Sequence, residues 1–399
     1  MAKMAKAAVL VAPGKFEIKE FPIPPIGDDE MLVKVEGCGV CGTDGHEYKR
    51  DPFGLCPVVL GHEGSGSIEV LGKNITHDSA GVPVKVGDKI VTIGGMVGKV
   101  VHVTGDKLTF ETARTNLCEH CGVYGLFPDD EIHLNGYYAE YLKIRPNSTF
   151  FNVTGLTLDQ RMLIEPAAVA VHAVERAKTT GLLNFNTKVL VQGCGPIGLM
   201  VLAVLRTMGI DCIIAVDGND NRLELAREMG ATKTFNFTRY PDFNDMLAEV
   251  KAATDGLGAG FVFQCTGVPA AAANAWKMVR RGGGLCEVGF FLPSGTCTID
   301  PHYDLCNKEV TAVGSWVYSP QDYPIAFAFL RRAAGIGLPM EKLVTHHFPL
   351  EKIGEALETN VQMKGIKVAV VVVSHDRYFL DRVAGRLFAF EAGGRLTQY

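Results

Sequence analysis

The string VLVQGCGPIGLM, residues 189–200, constrains this chain more than any other stretch. An apolar strand runs into Gly193-x-Gly195-x-x-Gly198, and an apolar helix begins there. The spacing answers three steric demands: the first glycine permits a tight turn, the second admits a pyrophosphate to the backbone, and the third lets helix and strand pack closely. Pro196 and Ile197 start the helix, whose free N–H groups and positive end suit a phosphate. A second strand, IIAVD, ends at Asp217, 24 residues after Gly193. An acid there accepts hydrogen bonds from a ribose 2′-OH and repels a 2′-phosphate, which favours NAD over NADP. GAGFVFQCTG and GGGLCEVGF continue the alternation of buried strand and helix, so residues 166–317 read as an α/β unit with a doubly wound parallel sheet. The string GGMVGKV lacks the Ser/Thr and the glycine register of a nucleotide phosphate loop.

The N-terminal part has another texture. AAVLVA, MLVKVEG, GSIEVLG and VGDKIVTIGG are short, alternating or β-branched, and broken by Gly-Asp and Pro-Pro, which predicts an all-β barrel or sandwich up to about residue 155. EPAAVAVHAVERA then takes up helical periodicity near residue 165. Acidic and basic residues, 44 and 39, are interspersed, so no basic block marks a nucleic-acid or membrane-surface partner. The longest apolar runs are far below the ~20 residues of a membrane span. Eleven cysteines without a secretion signal point to reduced thiols and a cytoplasmic location.

GVCGTDGHEY and LGHEG bring Cys41, Thr43, Asp44, His46, His62 and Glu63 into two neighbouring segments. A thiolate, an imidazole and a carboxylate from separate segments suit zinc, and an open fourth position is the mark of a catalytic site.

Taken together, GVCGTDGHE, GHEG, Glu165-Pro166, VQGCGPIGL, Asp217, QCTG and LVTHHFPLEKIGEALE resemble the zinc-dependent medium-chain alcohol and polyol dehydrogenases over roughly residues 6–373. The resemblance implies a GroES-like β-barrel catalytic domain over 1–165 and 318–373, and a Rossmann domain over 166–317 that binds NAD. It further implies one catalytic Zn2+, with Cys41 and His62 as ligands and either Glu63 or Glu165 beside them. Asp44 would orient the His62 ring, and Thr43 and His46 would relay the proton of a zinc-polarised hydroxyl while hydride passes to nicotinamide. Arg222, Cys265, Thr266, Gly267, Val288 and Phe290 would line the coenzyme, and Lys367 would contact its pyrophosphate. Relatives form homodimers or homotetramers.

Two segments depart from the pattern. Where many members carry four cysteines around a structural zinc, this chain has Thr104, Lys107, Phe110 and Cys118, so that ion is expected to be absent, with Cys118 and Cys121 ordinary thiols. Residues 374–399, with SHDRYFLDR, resemble the histidine-switch tail of an ABC-F type ATP-binding cassette but lack its phosphate loop; a mobile tail or a surface helix without nucleotide function is expected. The substrate class reads as a small alcohol or polyol, sugar-derived or anionic ones included; Lys49 and Arg50 after His46 are within reach of an anionic group, but read first as a solvated loop. Two alternatives stay open: a zinc-free NAD(P)H quinone or enone reductase, and a regulatory protein that binds dinucleotide without turnover.

Overall fold

The computed structural model describes residues 3–93, 115–117, 122–372, 388–391 and 395–398. Strands β1 (Met4–Ala12) and β2 (Lys15–Pro22) form an antiparallel pair that β4 (Val58–Val59) extends. A second, seven-stranded sheet contains β3 (Met31–Val40), β5 (Glu63–Leu71), β6 (Lys89–Thr92), β7 (Tyr141–Ile144) and β8 (Phe150–Asn152). Burial follows the expected texture: Val33, Val35, Cys38 and Val40 of β3 are all within a core shared with Leu10, Ile68 and Leu142. A buried ion cluster ties the sheet to the helix Leu158–Met162, where Arg161 meets Glu36 at 2.6 Å and Lys89 meets the same carboxylate.

The coenzyme-type half is a single six-stranded parallel sheet of β9 (Val189–Gln192), β10 (Ile213–Asp217), β11 (Lys233–Asn236), β12 (Ala259–Gln264), β13 (Val279–Glu287) and β14 (Thr311–Gly314). Its order, β11-β10-β9-β12-β13-β14, reverses direction between β9 and β12, and a crevice opens at the strand ends where such a switch occurs. β9 and β12 are buried along their whole length, as befits strands covered on both faces. The helix Ile164–Lys178 starts at the last residues of the barrel and packs on this sheet, so Glu165 sits in its first turn, at the junction of the two halves.

After β14 the chain returns. β15 (Val344–Pro349) and β16 (Lys367–Val371) join the first sheet, with β16 antiparallel to β3 in the register Val368↔Val40. The architecture is therefore the expected one: a doubly wound Rossmann sheet beside a GroES-like β unit that the C-terminal segment completes. In the tail, β17 (Phe388–Glu391) and β18 (Arg395–Gln398) pair as an antiparallel hairpin, where the expectation was a mobile tail or a surface helix. The SHD string, and Thr104, Lys107, Phe110, Cys118 and Cys121 of the structural-zinc reading, lie outside the described residues. No helix among the described residues is long and apolar enough to cross a membrane.

Candidate active site

Sheet register builds the first half of the site. β3 and β5 pair antiparallel with Gly39 opposite Glu63, so Cys41, just past β3, and His62, just before β5, leave the sheet at the same edge. The ligand atoms of Cys41, His62 and Glu63 lie within 4.8 Å of one another. Gly39 is small for a reason visible here: a Cβ on it would stand 2.2 Å from Glu63 Oε2. Cys41 also caps the helix Gly42–Arg50, with its N–H donating to Asp44 Oδ2 at 2.8 Å. Tyr138 Oη donates to the same oxygen at 3.0 Å. Asp44 Oδ1 faces His62 Nδ1 at 3.5 Å, a long contact that leaves both buried atoms without a full hydrogen bond.

This donor set fits a zinc ion. One soft thiolate, one imidazole and one carboxylate from three chain positions match the three-ligand pattern of open zinc sites, and Asp44 is placed to orient the imidazole ring. Glu63 is held from the other side: Lys367 Nζ donates to its two carboxylate oxygens at 2.7 and 2.6 Å and to Val40 O at 3.2 Å. The structure thus places Lys367 beneath the metal site, 3% exposed, with its charge turned to Glu63. Its position follows from the Val368↔Val40 pairing, which sets residue 367 beside the end of β3.

A cavity of about 310 Å³ opens above these groups. Cys41, Thr43, His46, His62, Glu63 and Glu165 line one side of it. Thr43 is buried with Oγ1 3.7 Å from Cys41 Sγ, while His46 is half-buried nearer the opening. Glu165 stands outside the close triad, and burial beside the negative Glu63 pushes its carboxyl up to about 7 against the opposing pull of His62 and a hydrogen bond from Tyr318. Tyr318, Trp316 and Phe291 complete the wall; none of them was singled out in the sequence, where GSWVYSP carries no spacing signal. Val317 between two of them has φ 52°, a left-handed conformation that strains a β-branched residue. Asn116 Nδ2 donates to Trp316 O at 2.7 Å and pins that turn.

The second half of the site is made by backbone. Gly193 has φ 91°, and a Cβ on Gly198 would lie 1.7 Å from Gly193 O, so the loop and the helix Pro196–Thr207 close on each other only without side chains. Gly195, at the cap of that helix, would point a Cβ into open space, which leaves its N-terminus accessible to a phosphate. Ile197, Cys265, Gly267 and Val288 face the same cavity as Cys41. Gly193, Asp217 and Thr266 line a second cavity of about 340 Å³ with Tyr240 and Phe243. Asp217 ends β10, where its two oxygens accept from the N–H groups of Cys194 at 2.6 Å and Asn219 at 2.8 Å. Arg222 donates to Gly365 O at 3.4 Å. Phe290 faces a separate groove on the β13–β14 side with Trp276 and Cys297, while Phe291 lines the cavity of Cys41.

Comparisons with known proteins agree with this geometry. Residues 27–154 match the alcohol dehydrogenase GroES-like domain and residues 196–332 match the zinc-binding dehydrogenase domain. The chain is 32% identical to a sorbitol dehydrogenase of Bacillus subtilis, over 92% of this chain and 96% of that protein. It is also 32% identical to an L-threonine 3-dehydrogenase of Bacillus licheniformis, over 88% and 94%. An alcohol dehydrogenase of Thermotoga maritima superposes with a TM-score of 0.83 at 28% identity, covering 93% of this chain and 100% of that one. Two domain matches in the family's order, on a fold that joins barrel and doubly wound sheet, define a zinc-binding dehydrogenase. The chain belongs to the zinc-dependent medium-chain dehydrogenase family.

Proposed function

We propose that this chain oxidises a primary or secondary hydroxyl of a small alcohol or polyol with NAD as hydride acceptor, using one zinc held by Cys41, His62 and the Glu63/Glu165 carboxylates. The observation that supports it best is that the Cys41–His62–Glu63 cluster opens onto the cavity that Ile197, Cys265, Gly267 and Val288 also line. A zinc ion bound there supplies Lewis-acid polarisation of a substrate hydroxyl. Thr43 then takes the hydroxyl proton and His46, nearer the opening, passes it to solvent. Asp44 faces the His62 ring and would orient it, and Lys367 pairs with Glu63. Gly193, Gly195 and Gly198 admit the coenzyme pyrophosphate, and Asp217 receives the ribose and disfavours a 2′-phosphate.

The sorbitol and threonine dehydrogenase relatives and a (2R,3R)-butanediol dehydrogenase of Bacillus subtilis, superposed with a TM-score of 0.75 at 28% identity over 92% of this chain and 100% of that one, support a hydroxylated aliphatic substrate. We assign the catalytic domain to 1–165 and 318–373, the coenzyme domain to 166–317, and no nucleotide role to residues 374–399. NADH absorbance with a panel of polyols, diols, 3-hydroxy amino acids and sugar phosphates, with NAD against NADP and with and without chelator, tests the proposal. Chelator-sensitive turnover with NAD on at least one hydroxylated compound supports it; turnover that survives removal of the metal sinks it.

A further inference from the structure

His46 and Arg50 lie one turn apart on the helix Gly42–Arg50, and both line the active cavity. An Nη2 of Arg50 stands 3.3 Å from His46 Nδ1. A guanidinium has donors only and keeps its proton, so Nδ1 is the acceptor and the neutral ring carries its proton on Nε2. We propose that Arg50 is a positioning residue for the proton relay: at rest it holds His46 as the neutral Nε2–H tautomer, and when a proton arrives at Nδ1 the Arg50 contact opens and the nearby guanidinium drives the Nε2 proton out to solvent, so that no proton rests on the ring. The proposal builds on the reading of His46 as the outer member of that relay.

Two effects act together. A proton bound by the neutral ring must go onto Nδ1, the atom that Arg50 occupies, and the resulting imidazolium would face a fixed positive charge. Partial burial, then Arg50, then Lys49 all hold the His46 ring below the usual histidine range. Among the described residues no compensating carboxylate faces it. Asp51 is turned to the N–H groups of Leu55 and Cys56, and Glu47 is on the buried side of the helix near Asp51. Glu358, on the helix Ile353–Val361 that packs alongside, faces Tyr48. Within the cavity Glu63 is paired with Lys367, and Glu165 meets Tyr318 at the floor. The opposing wall presents Val288, Phe291, Ser294 and Trp316, none of them charged.

The His46 ring can be titrated directly by NMR in the zinc-loaded protein, with its signal assigned by its loss in His46→Gln. In Arg50→Met the midpoint should rise by roughly one pH unit, the size of a like charge removed from a partly solvated contact. Arg50→Lys, which keeps the charge, should stay closer to the parent than Arg50→Met does. Ring 15N shifts of the parent at high pH should report the proton on Nε2. A midpoint that does not move in Arg50→Met, or a parent ring protonated on Nδ1, overturns the proposal. The acid limb of NADH formation should shift in the same direction as the ring. Failure of the parent to form NADH with any alcohol would instead count against the relay reading itself, because the titration does not depend on turnover.

Discussion

On the β3–β5 side of the cleft, Cys41, Asp44, His62, Glu63 and Lys367 act through ionisable side chains that the sheet edge gathers and buries. On the β9–β12 side, Gly193, Gly195 and Gly198 act by having no side chain, and what they offer is backbone N–H and room. The two walls should therefore fail in opposite ways. The first tolerates a modest change of shape but not a change of charge or ligand. The second tolerates charge nearby but not a methyl group.

The largest expected effect removes a ligand. Cys41→Ala or His62→Ala should bring bound zinc close to zero by elemental analysis and lower NADH formation by about 10³-fold or more, since the Lewis acid is lost along with its bound substrate. A variant that keeps both metal and rate would erase the contrast. Next comes the support beneath the metal. Lys367→Met leaves Glu63 as an unpaired charge in the core, which should cost about 3–5 kcal/mol in urea unfolding of the metal-free protein. Added zinc should return part of that loss, because Glu63 then has a cation to face. No loss on removing Lys367 would mean that Glu63 is protonated and that the pair is not ionic. On the opposite wall, Gly198→Ala sets a Cβ against the carbonyl of Gly193 and should cost about 1–3 kcal/mol of strain, read as a lower Tm. The same change should weaken NADH binding in a fluorescence titration while leaving zinc content untouched.

The two walls were also unequally legible in the sequence. The glycine loop is a local device: six residues carry the turn, the phosphate approach and the helix start, so their spacing alone reports them. Cys41 and His62 were legible as residue types in short motifs, but their convergence depends on the Gly39↔Glu63 register. The Lys367–Glu63 pair was not legible, because it depends on β16 pairing with β3 across more than 300 residues, which no local pattern records. That Phe291 lines the Cys41 cavity was not legible, because the chain leaves β13 at Glu287, where strict alternation stops predicting which ring faces the cleft. Trp316 and Tyr318 carried no signal at all. They reach the cavity through a strained turn at Val317, pinned by Asn116 from a segment two hundred positions earlier.

The smallest effect sharpens the comparison with two carboxylates away from the metal. Glu36, on the barrel side, is buried between Arg161 and Lys89, and these cations outweigh the burial and hold its carboxyl below the usual range. Glu287, on the coenzyme side, is partly buried among neutral donors, Gly289 N–H at 2.9 Å and Gln264 Nε2 at 2.8 Å, and burial pushes it up. The signs differ accordingly. A lowered folded-state value makes ionised Glu36 stabilising above the unfolded carboxylate value of 4.5, and that stabilisation fades as pH falls through 4.5 toward the folded value. A raised value makes protonated Glu287 the favoured form, so its contribution is present below 4.5 and fades as pH rises through the folded value. Urea midpoints between pH 3.5 and 7 should therefore change slope in opposite directions for Glu36→Gln and Glu287→Gln. The first should lose stability mainly at neutral pH, by about 1–3 kcal/mol for a buried charged hydrogen bond. The second should be neutral in acid and slightly more stable than the parent near pH 7. Parallel curves for the two variants would mean that the halves do not differ in how they hold charge, and the contrast would then rest on the metal ligands and the glycine loop alone.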